Sequence, residues 1–382
     1  MVISYFLAKT ILNGNSSRFS KYVKLQFHLQ FAGRTMPQCN IAGSKCETFL
    51  LEKSRVVGHE AAKGERNFHI FYQLLEGAPE EYKKQIWDGL EATDASSFKY
   101  AGVNDTVIIE GLTDAQRWKQ MLGALKTIGL KREVIFMLMR ALCVVLQLGN
   151  LSFSVDSANE EGSVISSHDE LEKLASILGV PSAEIAEAMI SRTVLAGHDT
   201  YKVPFNAGQA KGTCDAFAKE IYASIFDWLA GTINDATGAE KNYIPPGKSE
   251  TMTEFGIVGL LDIFGFESFE VNNFEQLCIN HANERLQHKF TEDVFQSVRD
   301  EYESEGIDLG EVKFSDNSDV VDLIEGRLGL INLLNEECVR PKGSDAGFVN
   351  KVCYVLLFFG SIFISQYVKR SQFQFLRSLQ IC

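Results

Sequence analysis

The chain reads as an α/β protein in which a small sheet carries a glycine turn and most of the remainder is helix. Three observations predict this. Phe255 to Leu261 (FGIVGLL) is a short, charge-free apolar run, the pattern of a strand buried on both faces. Lys21 to Phe31 alternates, with Val23, Leu25, Phe27, Leu29 and Phe31 on one side and Lys24, Gln26, His28 and Gln30 on the other, a strand with one buried side. Elsewhere apolar residues recur every three or four positions. The longest such stretch, Glu270 to Glu305, has no Gly or Pro and would make a helix about 50 Å long.

In chain order, NGNSSRFSK from Asn13 precedes the alternating strand, Gly33 and Pro37 mark a turn, and Ile41 to Leu51 reads as the returning strand. From Gly58 the pattern is helical. Lys63 to Leu75 and Pro79 to Leu90 are amphipathic, and Thr113 to Ile128 starts at a Thr cap with Asp114 favourable in the first turn. Lys131 to Leu148 is apolar nearly all round and is expected in the core. Ser167 to Leu178 and Ser182 to Ser191 follow, split by Gly179 and Pro181. Arg192 to Asn206 loses periodicity and gains Gly, Pro and Asp, as an exposed loop does. Gln209 to Asn234 is a long helix with Cys214, Phe217, Ile221, Ile225, Trp228 and Leu229 inward, and Asp235 to Thr253 is a linker-like loop.

A length of 382 residues with 45% hydrophobic content supports a large core and two or three domains. The net charge of -13 argues against a general nucleic-acid binder, which would carry a basic face, but leaves room for a filament met through local patches. Eight cysteines lie scattered without a CxxC pair, favouring free thiols in a reducing, cytoplasmic compartment. His281 and His288 share a helix face without a third ligand and read as packing or surface residues. No secretory signal opens the chain. Val352 to Val368 is apolar over about 17 residues, the lower limit for a span. We read it as a divergent tail in preference to a membrane anchor.

The chemistry lies in two motifs. Asp262-Ile263-Phe264-Gly265-Phe266-Glu267 follows the apolar strand, with a carboxylate at each end and one glycine between. Such an Asp can reach Mg²⁺ directly or through water, and a glycine amide can approach a phosphate oxygen with no Cβ in the way. At the other end of the chain, Asn13, Asn15, Ser16, Ser17 and Arg18 offer amides and hydroxyls, directional ligands that add no like charge. Together these motifs resemble switch I and switch II of a myosin motor domain. LLEKSRVVGHEAAKGERNFHIFYQLL (from Leu50), LQLGNLSF (from Leu146), DAFAKEIYASIFDWL (from Asp215) and NNFEQLCINHANERLQ (from Asn272) also resemble the myosin head, from about Ala8 to Lys351. Kinesins share NxxSSR and DxxGxE, but not RFxK, nor IFGFE before an NNFEQLxIN helix.

The resemblance implies a P-loop NTPase-type motor with a partial central sheet and helical upper and lower actin-binding subdomains. Residues 8–51 would hold switch I and the sheet hairpin, 52–253 the upper lobe, 254–310 switch II and the relay helix, 311–351 the lower lobe, and 352–382 the tail. It further implies that ATP and Mg²⁺ are the cofactors, that Ser17 ligates Mg²⁺, and that Asp262 holds a Mg²⁺-bound water. Asn13, Asn15 and Ser16 would contact the phosphates, and Gly265 would offer its amide to the γ-phosphate. Arg18 and Glu267 would pair across the pocket, and the long helix would carry the motion outward as a stiff rod. Actin filaments would be the partner, met through Asp199, Glu336, Lys342 and Phe348, in the cytoplasmic cytoskeleton. Light chains or calmodulin would bind only outside this sequence. Asp199, sixteen residues before Asp215, would supply the negative charge that some myosins obtain there by phosphorylation.

Two departures qualify the expectation. The family's RFGK is Arg18-Phe19-Ser20-Lys21 here, and Ser at a position of positive φ would cost roughly 1 kcal/mol. No GxxxxGK[ST] occurs, so the 382 residues alone are expected not to hydrolyse ATP, and the Phe255 strand is expected to leave an edge unpaired. The alternative is a catalytically dead actin-binding module.

Overall fold

The computed structural model describes residues 6–30, 38–59, 64–103, 106, 108–196, 199–245, 255–269, 272, 274–307, 317–340 and 343–354. The chain divides into two compact units, Met1–Ile263 and Phe264–Cys382.

In the first unit, β1 (Leu7–Lys9), β2 (Ser16–Ser17), β3 (Ser20–Gln30), β4 (Gln38–Phe49) and β5 (Arg66–Phe68) lead into α1 (His69–Tyr72), a π-helical turn (Gln73–Gly77) and α2 (Glu80–Ile86). There follow β6 (Ile108–Ile109), β7 (Leu112–Thr113), α3 (Asp114–Thr127), α4 (Arg132–Asn150), β8 (Phe153–Asp156), β9 (Asn159–Ile165), α5 (His168–Leu178) and α6 (Ser182–Ile190). The unit continues through β10 (Ser191–Ala196), β11 (Asp199–Pro204), α7 (Ala207–Thr237), α8 (Ala239–Asn242) and β12 (Gly256–Asp262).

The three strands expected to pair do form one antiparallel sheet, in the order β12-β3-β4. Its covered face is the opposite of the one the alternation predicts. Gln26 and His28 are buried, whereas Leu29 is exposed and Val23, Leu25 and Phe27 are half-buried. Helices α7 and α8 lie on the polar side. Gln26 accepts from the Ala239 amide at 2.8 Å and donates to Glu240 at 2.9 Å, and the His28 ring stands 3.0 Å from the Tyr243 hydroxyl. Hydrogen bonds therefore bury the residues that composition assigns to solvent. β12 is likewise not buried on both faces, since Ile257, Val258, Leu260 and Leu261 are all exposed. Among the described residues it pairs with β3 alone.

A bulge at Ala42 sets the join between sheet and helix. Gln26 faces Gly43 while Phe27 faces Ile41. Asn234 of α7 donates to the Cys46 carbonyl at 2.9 Å and accepts its amide at 2.7 Å, and Thr237 donates to the Ser44 carbonyl at 2.9 Å.

The main core gathers α1, the π-helical turn and α3 to α7. Lys63 to Leu75 is not one amphipathic helix; Arg66–Phe68 pairs with β1, and His69 to Leu75 is buried throughout, so no polar face exists to set a helical period. α3 begins as expected, with Thr113 accepting from the Gln116 amide in a capping box. α4 is long and apolar enough to cross a membrane, yet 61% of its most apolar window is buried within the protein. The expected loop Arg192 to Asn206 is instead mostly an exposed hairpin, β10–β11, paired from Ser191↔Pro204 to Ala196↔Asp199. On α7, Cys214, Ala218, Tyr222, Ile225 and Leu229 form the buried stripe. Phe217 and Trp228, expected inward, sit off its edge and are exposed.

In the second unit, α9 (Phe274–Thr291), a π-helical turn (Glu292–Gln296) and α10 (Ser297–Ser304) follow one another directly where the single rod was expected. α11 (Ser318–Glu325), α12 (Leu330–Val339) and α13 (residues 345–354) complete it. Leu277, Val320 and Ile324 form one small core, and Leu330, Leu333 and Val352 another. His281 packs on α11 as a surface pair, its Nε2 3.1 Å from Glu325. The tail beyond 354 lies outside the described residues.

Candidate functional site

The first motif is a turn held by its own polar groups. The Thr10 amide donates to the Asn13 carbonyl at 2.9 Å, and the Asn13 amide donates to Thr10 Oγ1 at 3.0 Å. Asn13 Oδ1 accepts from the Asn15 amide at 2.9 Å, an Asx turn that aligns the following residues. Asn15 Nδ2 donates to Glu110 at 2.6 Å, while its Oδ1 is buried without a partner. Ser16 and Ser17 form β2, paired with Ala8 and Leu7, so their hydroxyls point to opposite faces.

Arg18 follows and is fully buried. Its Nε donates to Glu52 Oε2 at 2.7 Å, its Nη2 to Glu52 Oε1 at 3.0 Å, and its Nη1 to Ser16 Oγ at 3.3 Å. Arg55 Nε donates to the same Glu52 oxygen at 2.5 Å. Burial pushes the Glu52 carboxyl up, but the charges and hydrogen bonds of Arg55 and Arg18 outweigh it and hold the group below the ordinary carboxylate value. Glu52 and Arg55 lie outside the two motifs, in the LLEKSRV segment, and only the burial of Arg18 shows that it needs a carboxylate. Ser20 is extended, not at positive φ, so its replacement of glycine carries no backbone penalty.

The second motif starts where β12 ends. Asp262 is the register partner of Lys21, whose ammonium contacts its carboxylate. Sheet pairing thus places the end of the first motif directly beside the start of the second. Gly265 is exposed, with open space where a Cβ would stand. In the second unit the turn is gripped by α9. Asn280 Oδ1 accepts from the Glu267 amide, its Nδ2 donates to the Glu267 carbonyl, both at 2.9 Å, and Gln276 Nε2 lies 3.5 Å from the Glu267 carboxylate. Gln276 and Asn280, four apart on α9, are buried polar residues that the apolar periodicity of the helix does not single out.

Of the candidate partner-facing residues, Asp199 is exposed at the start of β11, 3.4 Å from the Tyr201 hydroxyl. Glu336 is paired with Lys351 at 2.7 Å. Phe348 is half-buried against the Leu330, Leu333 and Val352 cluster. Lys342 lies outside the described residues.

Among the described residues no three of His, Cys, Asp and Glu gather to hold an ion by themselves. The donor set is instead hydroxyls, the unpartnered Asn15 Oδ1 and one carboxylate already facing a cation. Oxygen donors of this kind are the type that Mg²⁺ takes, and phosphate and water would have to supply the rest of its ligands.

The model of the myosin head (motor domain) family matches residues 3–376. The chain is 36% identical to Myosin-52 of Schizosaccharomyces pombe over 345 residues, covering 90% of this chain and 21% of that protein. It is 39% identical to Myosin-2 of Arabidopsis thaliana over 346 residues (90% and 26%) and 38% identical to unconventional myosin-Ic of Mus musculus over 347 (90% and 31%). It therefore spans between about a fifth and a third of the length of these relatives. With the family model covering nearly all of it, this chain belongs to the myosin head (motor domain) family.

Proposed function

We propose that these residues are the switch-bearing and actin-facing part of a motor that couples Mg·ATP hydrolysis to movement on actin filaments in the cytoplasm. The observation that supports this reading is the pairing of Lys21, the last residue of NGNSSRFSK, with Asp262, the first of DIFGFE. Ser17 and Asp262 would hold Mg²⁺, directly and through water, and Asn13, Asn15 and Ser16 would face the phosphates. The ion would neutralise charge developing on the phosphoryl oxygens.

Gly265 would donate its amide to the terminal phosphate, and Arg18 would pair with Glu267 when both turns are drawn in. Glu52 accepts from Arg18 Nε and Nη2 and so fixes the orientation of the guanidinium. The bonds of Asn280 and Gln276 to the Glu267 turn would let α9 follow its movement. The exposed β10–β11 hairpin with Asp199, and the α12–α13 helical hairpin with Glu336, Lys342 and Phe348, would meet actin.

The sequence contains no GxxxxGK[ST] loop. The 382 residues by themselves are therefore expected to bind actin without turning over ATP. Cosedimentation with actin filaments tests this. Pelleting that is saturable and indifferent to Mg·ATP is expected. No pelleting at high actin concentration would contradict the actin-facing assignment, and release of phosphate would contradict the requirement for the loop.

A further inference from the structure

The start of α13 is capped in an unusual way. Ser344 is its N-cap, with Oγ accepting from the Gly347 amide at 3.1 Å and the carbonyl accepting from Phe348 at 3.0 Å. In an ordinary capping box the third residue of the helix is Glu or Gln, and its side chain reaches back to the N-cap amide. Here that third residue is Gly347, which has no side chain. The Ser344 amide instead donates to Glu337 Oε1 at 3.1 Å, a carboxylate supplied by α12.

The fit leaves no room for the usual arrangement. A Cβ on Gly347 would stand 2.5 Å from Glu337 Oε1, and one on Gly343 would stand 2.0 Å from the Glu337 carbonyl oxygen. Gly347 therefore makes room for the Glu337 carboxylate, and Gly343 for the close approach of the Glu337 carbonyl. The other carboxylate oxygen lies 2.8 Å from Lys351 Nζ, which also reaches Glu336 at 2.7 Å, and 3.8 Å from Arg340. Apolar contact between Leu330, Leu333 and Val352 holds the same two helices together beneath it.

We propose that Glu337 is the positioning residue of the helical hairpin. It completes the cap of α13 from α12 and so sets the surface that the two helices present to an actin filament. The last step rests on the actin-facing reading above; the cap itself does not.

The test uses the full 382-residue chain, reading the hydrogen exchange of the Ser344 amide and the half-saturating actin concentration in cosedimentation. Glu337→Ala should speed exchange at Ser344 and raise the actin concentration needed, each by roughly fivefold to tenfold, the size of a lost cap. Adding Gly347→Glu to Glu337→Ala rebuilds a capping box within α13 and should restore both, a rescue that general loss of packing would not show. Gly347→Ala in the otherwise native chain should also expose the Ser344 amide by displacing the carboxylate, although alanine favours helix. That variant decides the matter if Glu337→Ala does not fold. Unchanged Ser344 exchange in both Glu337→Ala and Gly347→Ala would overturn the cap. Lost protection with unchanged actin affinity would overturn the positioning role. If the native chain does not bind actin at all, the actin-facing reading fails, and the exchange data alone judge the cap.

Discussion

Arg18 is buried in a cluster of two guanidinium groups around one carboxylate, and such clusters are strongly asymmetric in their response to mutation. Removing the charge of Glu52 takes from Arg18 and Arg55 the buried carboxylate that both share. Glu52→Gln is expected to destabilise the first unit by roughly 3 kcal/mol, measured by urea unfolding. A second buried group makes stability depend on pH. Burial lowers the pKa of His69 to about 2, aided by the charges of Arg66, Arg117 and Arg55. The unfolded chain takes up this proton below about pH 6.5 and the folded one does not, so stability is full above that pH and falls as the medium is acidified. Between pH 7 and 5.5 the loss assigned to His69 is about 1 kcal/mol. In His69→Leu that part of the slope should disappear; an unchanged slope would mean that His69 is hydrated in the folded state.

The sheet element is where packing and sequence pattern part company. Gly43 sits at the bulge because the end of α7 passes over it, and a Cβ there would stand 2.5 Å from the Thr237 carbonyl oxygen and 2.6 Å from the Ala239 nitrogen. Gly43→Ala should cost roughly 1–3 kcal/mol and loosen the Asn234 bonds to Cys46, read as faster exchange of the Cys46 amide. The strand Lys21 to Phe31 was legible as a strand from its alternation, but not its covered face. Apolar residues mark the side that tends to be buried, whereas Gln26 and His28 are buried by specific bonds to α7, α8 and Tyr243 that no local pattern encodes. The hairpin at Ser191–Pro204 was missed for a related reason. Both its strands are mostly exposed, so neither carries the apolar alternation that announces a strand. Helices with a buried stripe or a cap, such as α3 and α4, were found because both signals are local. At the candidate site, motif spacing singles out Ser16, Ser17, Asp262 and Gly265 for the proposed roles. It does not single out Glu52, whose meaning depends on a partner 34 residues away in sequence.

Across the whole chain, the last residue of the first motif, Lys21, and the first residue of the second, Asp262, pair at one end of one antiparallel sheet although they stand more than two hundred residues apart in sequence. Under the proposed function this pair would lie at a phosphate-sensing site, and the exposed β10–β11 hairpin and the α12–α13 hairpin would contact a filament. The relatives this chain matches are three to five times as long, and the proposed activity belongs to a polypeptide of that kind. The decisive measurement is phosphate release from Mg·ATP by the endogenous polypeptide that carries the NNFEQLCINHANERLQ peptide, with and without actin filaments. The account predicts release that actin accelerates, and loss of that acceleration in Arg18→Ala. A native polypeptide that binds no filament and releases no phosphate would contradict it.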